Sequence, residues 1–357
     1  MYSKTREVRV GSVVIGGTAP VCVQSMTNTD SLDHIKTIDQ LRRLEEAGCE
    51  IARLAIPTEE AAAVFAAAKN AGIGMPLVAD IHFDYKIALA AVKAGADKIR
   101  INPGNIGESW KVKEVADACR SEGLPIRIGV NGGSLEKSLL EKYGSPTPEA
   151  LAESALTQAE VLEGFGFSDI VLSIKSSTVT NMIKACRLVR ERSDYPLHIG
   201  VTEAGDEYSG LVKNAVGVGA LLLDGIGDTL RVSLTADPVK EVIAGREILR
   251  AAGLGGSYVN IVSCPTCGRT KIDLIPLSAE LRAAVGNMDT KGKNITVALM
   301  GCVVNGPGEA READVGIAGG DGFGVLIKKG EVCGRVEECD IVPTLVAEVK
   351  KIIDEVE

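Results

Sequence analysis

The 357-residue chain predicts an α/β fold, a (β/α)8 barrel of TIM type followed by a small α+β domain, on the strength of three observations. Eight short apolar runs recur before about residue 250, amphipathic helical segments separate them, and the alternation stops in the Gly-rich stretch 251–257. The runs are Val21–Ser25, Ile51–Ala55, Pro76–Asp80, Asp97–Ile101, Pro125–Gly129, Asp169–Ile174, Leu197–Val201 and Ala220–Asp224. An open doubly wound sheet is the alternative, but a count of eight favours closure.

The elements follow in order. Val8–Ile15 reads as a small hairpin plugging the lower end of the barrel. The first helical segment places Ile35, Ile38, Leu41 and Leu44 on one stripe. Early helices stop at Ala47-Gly48, Ala71-Gly72 and Ala94-Gly95, where glycine takes the left-handed C′ position at no steric cost. The barrel is assigned to 1–250, a hinge to 251–257 and the second domain to 258–357. In that domain two strands, Tyr258–Ser263 and Ile295–Met300, each run directly towards a cysteine. Further strands are expected over 313–318 and 322–327, and a closing helix over 341–356.

Composition removes several classes. Apolar residues at 45% and charged residues at 24% describe an ordinary globular chain. A net charge of −9, no basic tract and 3% aromatics argue against nucleic acid as a partner. The apolar stretch 61–68 falls far short of the ~18 residues of a membrane span. The N-terminus has no apolar core of a secretory signal, so a cytoplasmic location is expected. Nine cysteines, an odd number, read as free thiols and metal ligands, with no disulfide framework.

Two constellations carry chemistry. Cys264-Pro-Thr-Cys267 and Cys302 place three thiols after strand ends, and Glu309 follows the Gly306-Pro307-Gly308 turn. Three thiolates with one differing ligand suit a 4Fe–4S cluster that acts on substrate. A structural zinc using Cys333 or Cys339 as its fourth ligand stays open on spacing alone. Cys22, Cys49, Cys119 and Cys186 read as small buried apolar side chains.

The second constellation is cationic. Arg53, Arg100, Arg127, Lys175 and Arg231 stand in or just beyond strands, with Asn131, Ser233 and Glu203 beside them. Barrel sites form at the C-terminal strand ends, and guanidinium forks match phosphate oxygens, so a diphosphate fits as guest. Glu203 is a candidate acid or base. The Asp80-Ile-His82-Phe-Asp84 run also lies at a strand end, where His82 has a substrate-contact, capping or packing role.

Long strings also resemble one enzyme family. They include Val23-Gln-Ser-Met-Thr-Asn-Thr-Asp30, Ile99-Arg-Ile-Asn-Pro-Gly-Asn-Ile-Gly107 and Ile128-Gly-Val-Asn-Gly-Gly-Ser134. His198-Ile-Gly-Val-Thr-Glu-Ala-Gly205, Ser263-Cys-Pro-Thr-Cys-Gly-Arg269 and Gly301-Cys-Val-Val-Asn-Gly-Pro-Gly-Glu309 continue the likeness. The chain resembles the 4-hydroxy-3-methylbut-2-en-1-yl diphosphate synthases of the methylerythritol phosphate route to isoprenoids, in their short bacterial form.

The resemblance implies reductive ring opening of 2-C-methyl-D-erythritol 2,4-cyclodiphosphate, with flavodoxin or ferredoxin as electron donor. It implies one 4Fe–4S cluster per subunit on Cys264, Cys267, Cys302 and Glu309, in a domain of sulfite/nitrite-reductase-like type. Substrate binding falls to Arg53, Arg100, Arg127, Asn131, Lys175, Arg231 and Ser233, and acid–base work to Glu203. A head-to-tail homodimer is implied as well. The competing readings are a phosphosugar lyase or aldolase with a zinc-stapled appendage, and a non-enzymatic cluster carrier.

Overall fold

The computed structural model describes residues 4–355 apart from 287, 305–307 and 309. The chain forms two compact units, residues 1–254 and 255–357.

In the first unit β1 (Val8–Val10) and β2 (Val13–Ile15) pair as an antiparallel hairpin. A closed barrel of parallel strands follows. It comprises β3 (Cys22–Met26), β4 (Ile51–Ala55), β5 (Leu77–Asp80), β6 (Lys98–Ile101), β7 (Ile126–Asn131), β8 (Ile170–Lys175), β9 (Leu197–Ile199) and β10 (Thr229–Leu230). Pairing of β10 with β3 closes the ring.

The first connecting helices are α1 (His34–Glu46), α2 (Ala63–Asn70), α3 (Tyr85–Lys93), α4 (Pro103–Ile106) and α5 (Ser109–Ser121). They continue as α6 (Lys137–Tyr143), α7 (Pro148–Gly164), α8 (Val179–Arg192), α9 (Glu207–Leu223) and α10 (Pro238–Ala251). Gly48, Gly72 and Gly95 have φ of 87°, 82° and 90°, the left-handed stops their positions require.

The hairpin seals the lower end of the barrel. Val8, Val10 and Ile15 pack against Cys22, Ile51, Val78 and Val171, which lie at or near the starts of four barrel strands.

Two expectations need correcting. Ala220–Asp224 is not the eighth strand: its first four residues are the last turn of α9, and the strand is Thr229–Leu230. Ala-Leu-Leu-Leu has no β-branched residue and strong helix formers throughout. A short apolar run has the same appearance in a buried strand and in a buried helix turn. Ile35 is not on the buried stripe either; it is 83% exposed, and α1 buries Thr37, Gln40, Leu41 and Leu44. At 3.6 residues per turn, Ile35 lies roughly 160° round the helix from Thr37.

The second unit is a five-stranded sheet in sequence order: β11 (Val259–Ser263), β12 (Ile295–Met300), β13 (Val315–Gly320), β14 (Phe323–Lys328) and β15 (Glu331–Glu337). The first three strands run parallel, and the last two turn back as a meander. Helices α11 (Leu274–Val285) and α12 (Ile341–Asp354) share an apolar core with the sheet. Neither α11 nor β15 was expected from sequence. Strand β15 is mostly exposed and carries charge at Glu331, Arg335 and Glu337, so its apolar signal is weak. Among the described residues no helix is long and apolar enough to cross a membrane.

Replacing Leu41 by Ala should destabilise the protein by about 2–5 kcal/mol through an unfilled cavity. Ile35→Ser should cost under about 0.5 kcal/mol. Denaturant midpoints of the two variants check this, and equal losses would contradict the assigned face.

Candidate active site

Side chains along a barrel strand alternate between the surrounding helices and the interior. On β6, Ile99 and Ile101 enter the layer shared with the helices, so Lys98 and Arg100 face inward. On β7 the same alternation leaves Arg127, Gly129 and Asn131 inside, and on β8 it leaves Val171, Ser173 and Lys175. Arg53 on β4 and Asp80 on β5 join them, with Arg231 just beyond β10. Arg53, Arg100, Arg127 and Lys175 are all buried.

Asp80 ties the cations together. Arg100 Nη1 donates to its Oδ1 at 3.1 Å, while Arg53 Nε and His82 Nε2 lie 3.7 and 3.5 Å from its Oδ2. Burial pushes this carboxyl up, but Arg53, His82, Arg100 and Arg127 outweigh it and hold the group well below the usual carboxylate range. A second anion stands behind the mouth. Glu241 on α10 accepts from Arg231 at 3.3 Å, from Ser25 Oγ at 3.2 Å and from the Leu234 N–H at 2.9 Å.

These two carboxylates do not use up the donors. Arg53 Nε and Nη2 point at the thioether of Met26, 3.1 and 2.9 Å away, a weak acceptor for so strong a donor. Burial pulls Arg53 down to about 10 against the opposing pull of Asp80. Burial, then Arg53, Arg231, Arg127 and Arg100, push Lys175 well below its ordinary value. Among the described residues, no hydrogen bond or ion pair engages its Nζ. The mouth is therefore a set of desolvated cations short of negative charge.

Backbone shape makes the room. A Cβ on Gly129 would stand 2.4 Å from Arg100 Nε, so only glycine lets that guanidinium lie across β7, where Nη2 donates to the Gly129 carbonyl at 3.3 Å.

Asn131 is paired in register with Lys175 at the strand ends. Ser233 is half-buried, and its carbonyl accepts from Asn214 Nδ2 at 3.2 Å. Glu203 is exposed in the loop between β9 and α9, with φ 52°, a left-handed conformation rare for a side chain of this kind. His82 does not cap α3; Asp84 does, accepting the Lys86 N–H at 2.9 Å.

In the second unit, β11 and β12 lie in register with Ser263 opposite Leu299, so Cys264 and Cys302 leave the same sheet end. Cys264 Sγ accepts the Gly301 N–H at 3.2 Å. The Arg269 N–H and side chain lower the Cys267 thiol, and the Arg269 charge also acts on Cys302. Glu309 lies outside the described residues. Among the described residues, no group of three His, Cys, Asp or Glu side chains is arranged to hold a single ion. Cys22, Cys49, Cys119 and Cys186 are buried, and burial pushes each thiol up to about 12, as inert core thiols require.

Residues 5–246 match the GcpE TIM-barrel domain and residues 260–351 the GcpE protein C-terminal domain. The chain belongs to the GcpE family. A Geobacter sulfurreducens relative named 4-hydroxy-3-methylbut-2-en-1-yl diphosphate synthase (flavodoxin) is 56% identical over 99% of both chains. One of the same name from Caldanaerobacter subterraneus is 54% identical, again over 99% of each. Among solved structures, a dihydropteroate synthase from Thermus thermophilus covers 70% of this chain and 97% of its own at TM-score 0.50 and 15% identity, a likeness of fold alone.

The GcpE barrel thus presents Arg53, Arg100, Arg127 and Lys175 from inward strand positions and Arg231 just beyond β10. Asp80 as their shared counter-ion and Glu241 behind Arg231 were not assigned from sequence. Period-two alternation around Asp80 could have found the first; nothing in the sequence of α10 singles out the second.

Gly129→Ala should displace the Arg100 guanidinium and weaken binding of the cyclic diphosphate at least tenfold, about 1.4 kcal/mol, with little change in thermal midpoint; calorimetric titration checks it. Asp80 is held below its ordinary value, so its stabilising effect is complete above the usual range and is lost as pH falls below about 4. Asp80→Asn should flatten the acid limb of stability between about pH 5 and 2, measured by denaturation at stepped pH.

Proposed function

We infer that the chain opens 2-C-methyl-D-erythritol 2,4-cyclodiphosphate and removes its hydroxyl reductively, giving 4-hydroxy-3-methylbut-2-enyl diphosphate for isoprenoid synthesis. The observation that carries this reading is the cation-rich barrel mouth in a chain that carries the family's two domains end to end. The reaction consumes two electrons and two protons and releases water. Flavodoxin, named in both relatives above, is the donor that fits this reading, and the cytoplasm is its compartment.

The barrel residues do the binding. Arg53, Arg100, Arg127, Lys175 and Arg231 neutralise the diphosphate, and Asn131 and Ser233 at the strand ends supply neutral hydrogen bonds. Orientation is settled before any electron arrives, because Arg53, Arg100, Arg127, Asn131 and Lys175 are fixed by strands. As the ring opens, charge grows on the departing phosphate oxygen, and buried guanidiniums stabilise it without reorganising. Glu203, in a mouth loop, holds the proton that turns the leaving hydroxyl into water.

The second unit fits a 4Fe–4S cluster. Its thiols share one sheet end, a backbone N–H already points at Cys264 Sγ, and Arg269 favours the thiolate of Cys267. Cys264, Cys267 and Cys302 would hold the cluster with Glu309 as fourth ligand. When bound, the cluster supplies electrons one at a time and a Lewis-acid corner. Two copies arranged head to tail complete the reading.

Protein purified without oxygen should contain iron and sulfide at about four each per chain, absorb in the visible, and turn over only with a reductant. Stoichiometric zinc with activity lacking reductant would replace this reading by the lyase one. Glu203→Gln should abolish turnover while substrate still binds, and undiminished turnover would exclude its proton role.

A further inference from the structure

Below the mouth the barrel interior stays polar where branched apolar side chains usually fill it. Lys98, two residues before Arg100 on the same face of β6, is fully buried, and its Nζ has no hydrogen-bond partner among the described residues. Three neighbours on other strands also leave a polar atom unpartnered: Gln24 Nε2 on β3, Arg127 Nε on β7 and His198 Nε2 on β9. Their remaining bonds stay within the barrel, with Arg127 Nη1 3.3 Å from Gln24 Oε1 and His198 Nδ1 2.8 Å from Thr229 Oγ1.

The charged and titratable groups around Lys98 offer it no anion. Arg100 shares its strand, and Arg53 and Arg127 face it from β4 and β7 as cations. Lys175 on β8 is a further amine, and His198 is held well below its ordinary value by burial and these cations. Cys22 on β3 is a thiol that burial pushes up to about 12. The carboxylates on flanking segments are committed elsewhere. Asp80 is held by Arg100, Glu50 accepts the Val23 N–H at 2.7 Å, and Asp228 accepts from Leu197 N–H and Thr5 Oγ1, each at 2.7 Å.

We propose that Lys98 takes up a proton as the cyclic diphosphate fills the mouth above it, so that the barrel floor contributes a cation the empty site does not carry. The inference rests on the diphosphate reading of the mouth. An amine in this position stays neutral while only cations surround it, since burial and like charge both oppose the ammonium form. A polyanion seated among the guanidiniums cancels their repulsion and attracts the proton inward. The step is –NH2 plus a solvent proton giving –NH3+, with no electron exchanged. Lys98 acts through the field at the mouth and is a positioning residue. By linkage, substrate affinity then falls as pH rises.

The test is calorimetric titration of the full-length, cluster-loaded protein with the cyclodiphosphate, without reductant, in two buffers of unlike ionisation enthalpy near about pH 8. The expected result is net proton uptake by the wild type, reduced by about one proton in Lys98→Met. Lys175 is present in both proteins, so the difference reports the loss of Lys98 together with the response of His198, which Lys98 helps hold down. The methionine variant should keep or raise the thermal midpoint, because it removes an unpaired buried amine. Substrate binding without proton uptake by the wild type overturns the proposal, a result that needs no variant to fold. Undiminished uptake by Lys98→Met overturns it equally. No binding at all would remove the diphosphate reading and this inference with it.

Discussion

Positive charge sealed inside a barrel with too few anions to balance it is the constraint around which the first unit is arranged. Guanidiniums and an amine at Arg53, Arg100, Arg127, Lys175 and Arg231 meet buried carboxylates at Asp80 and Glu241. Each cation taken out of water carries a desolvation penalty that mutual repulsion increases. Asp80 relieves part of this by bridging Arg100 and Arg53, and Glu241 anchors Arg231 from behind. The remainder is left for an anionic guest to neutralise. Met26, a weak acceptor, stands where a stronger one would have satisfied Arg53.

The rest of the barrel supports that imbalance. Outward isoleucines, valines and leucines on every strand lock the ring to its helices, so the inward cations cannot swing away from one another. The hairpin closes the lower end with Val8, Val10 and Ile15, which keeps solvent from screening the interior from below. Gly129 leaves the volume that Arg100 needs. Rigid strands thus perform the work that flexible loops would do at a greater cost in entropy.

The second unit solves a different problem with a related device. Parallel pairing of β11 and β12 brings Cys264 and Cys302 to one sheet end although 37 residues of chain separate them. The Gly301 N–H donates to Cys264 Sγ there, and Arg269 lowers the Cys267 thiol. Cys267 is exposed and its thiol is held below the ordinary value, in contrast to the buried thiols of the barrel.

Much of this was legible in the order of residues. Eight alternations, glycine stops after helices, and arginines inside strands declare a barrel with a cationic mouth, because those features depend on local periodicity and on chemistry that apolar cores exclude. The cysteine spacing and the long family strings likewise need no coordinates. What the sequence could not decide was which short apolar run made the eighth strand, since Ala220–Leu223 suits a buried helix turn as well as a strand and only closure of the ring onto β3 selects Thr229–Leu230. Nor could it show that Asp80 and not another carboxylate balances the arginines, that Glu241 backs Arg231, or that Lys98 has no hydrogen-bond partner among the described residues beneath them. Those relations join residues far apart in sequence, and they exist only once the strands curl into a ring and enclose a shared low-dielectric interior.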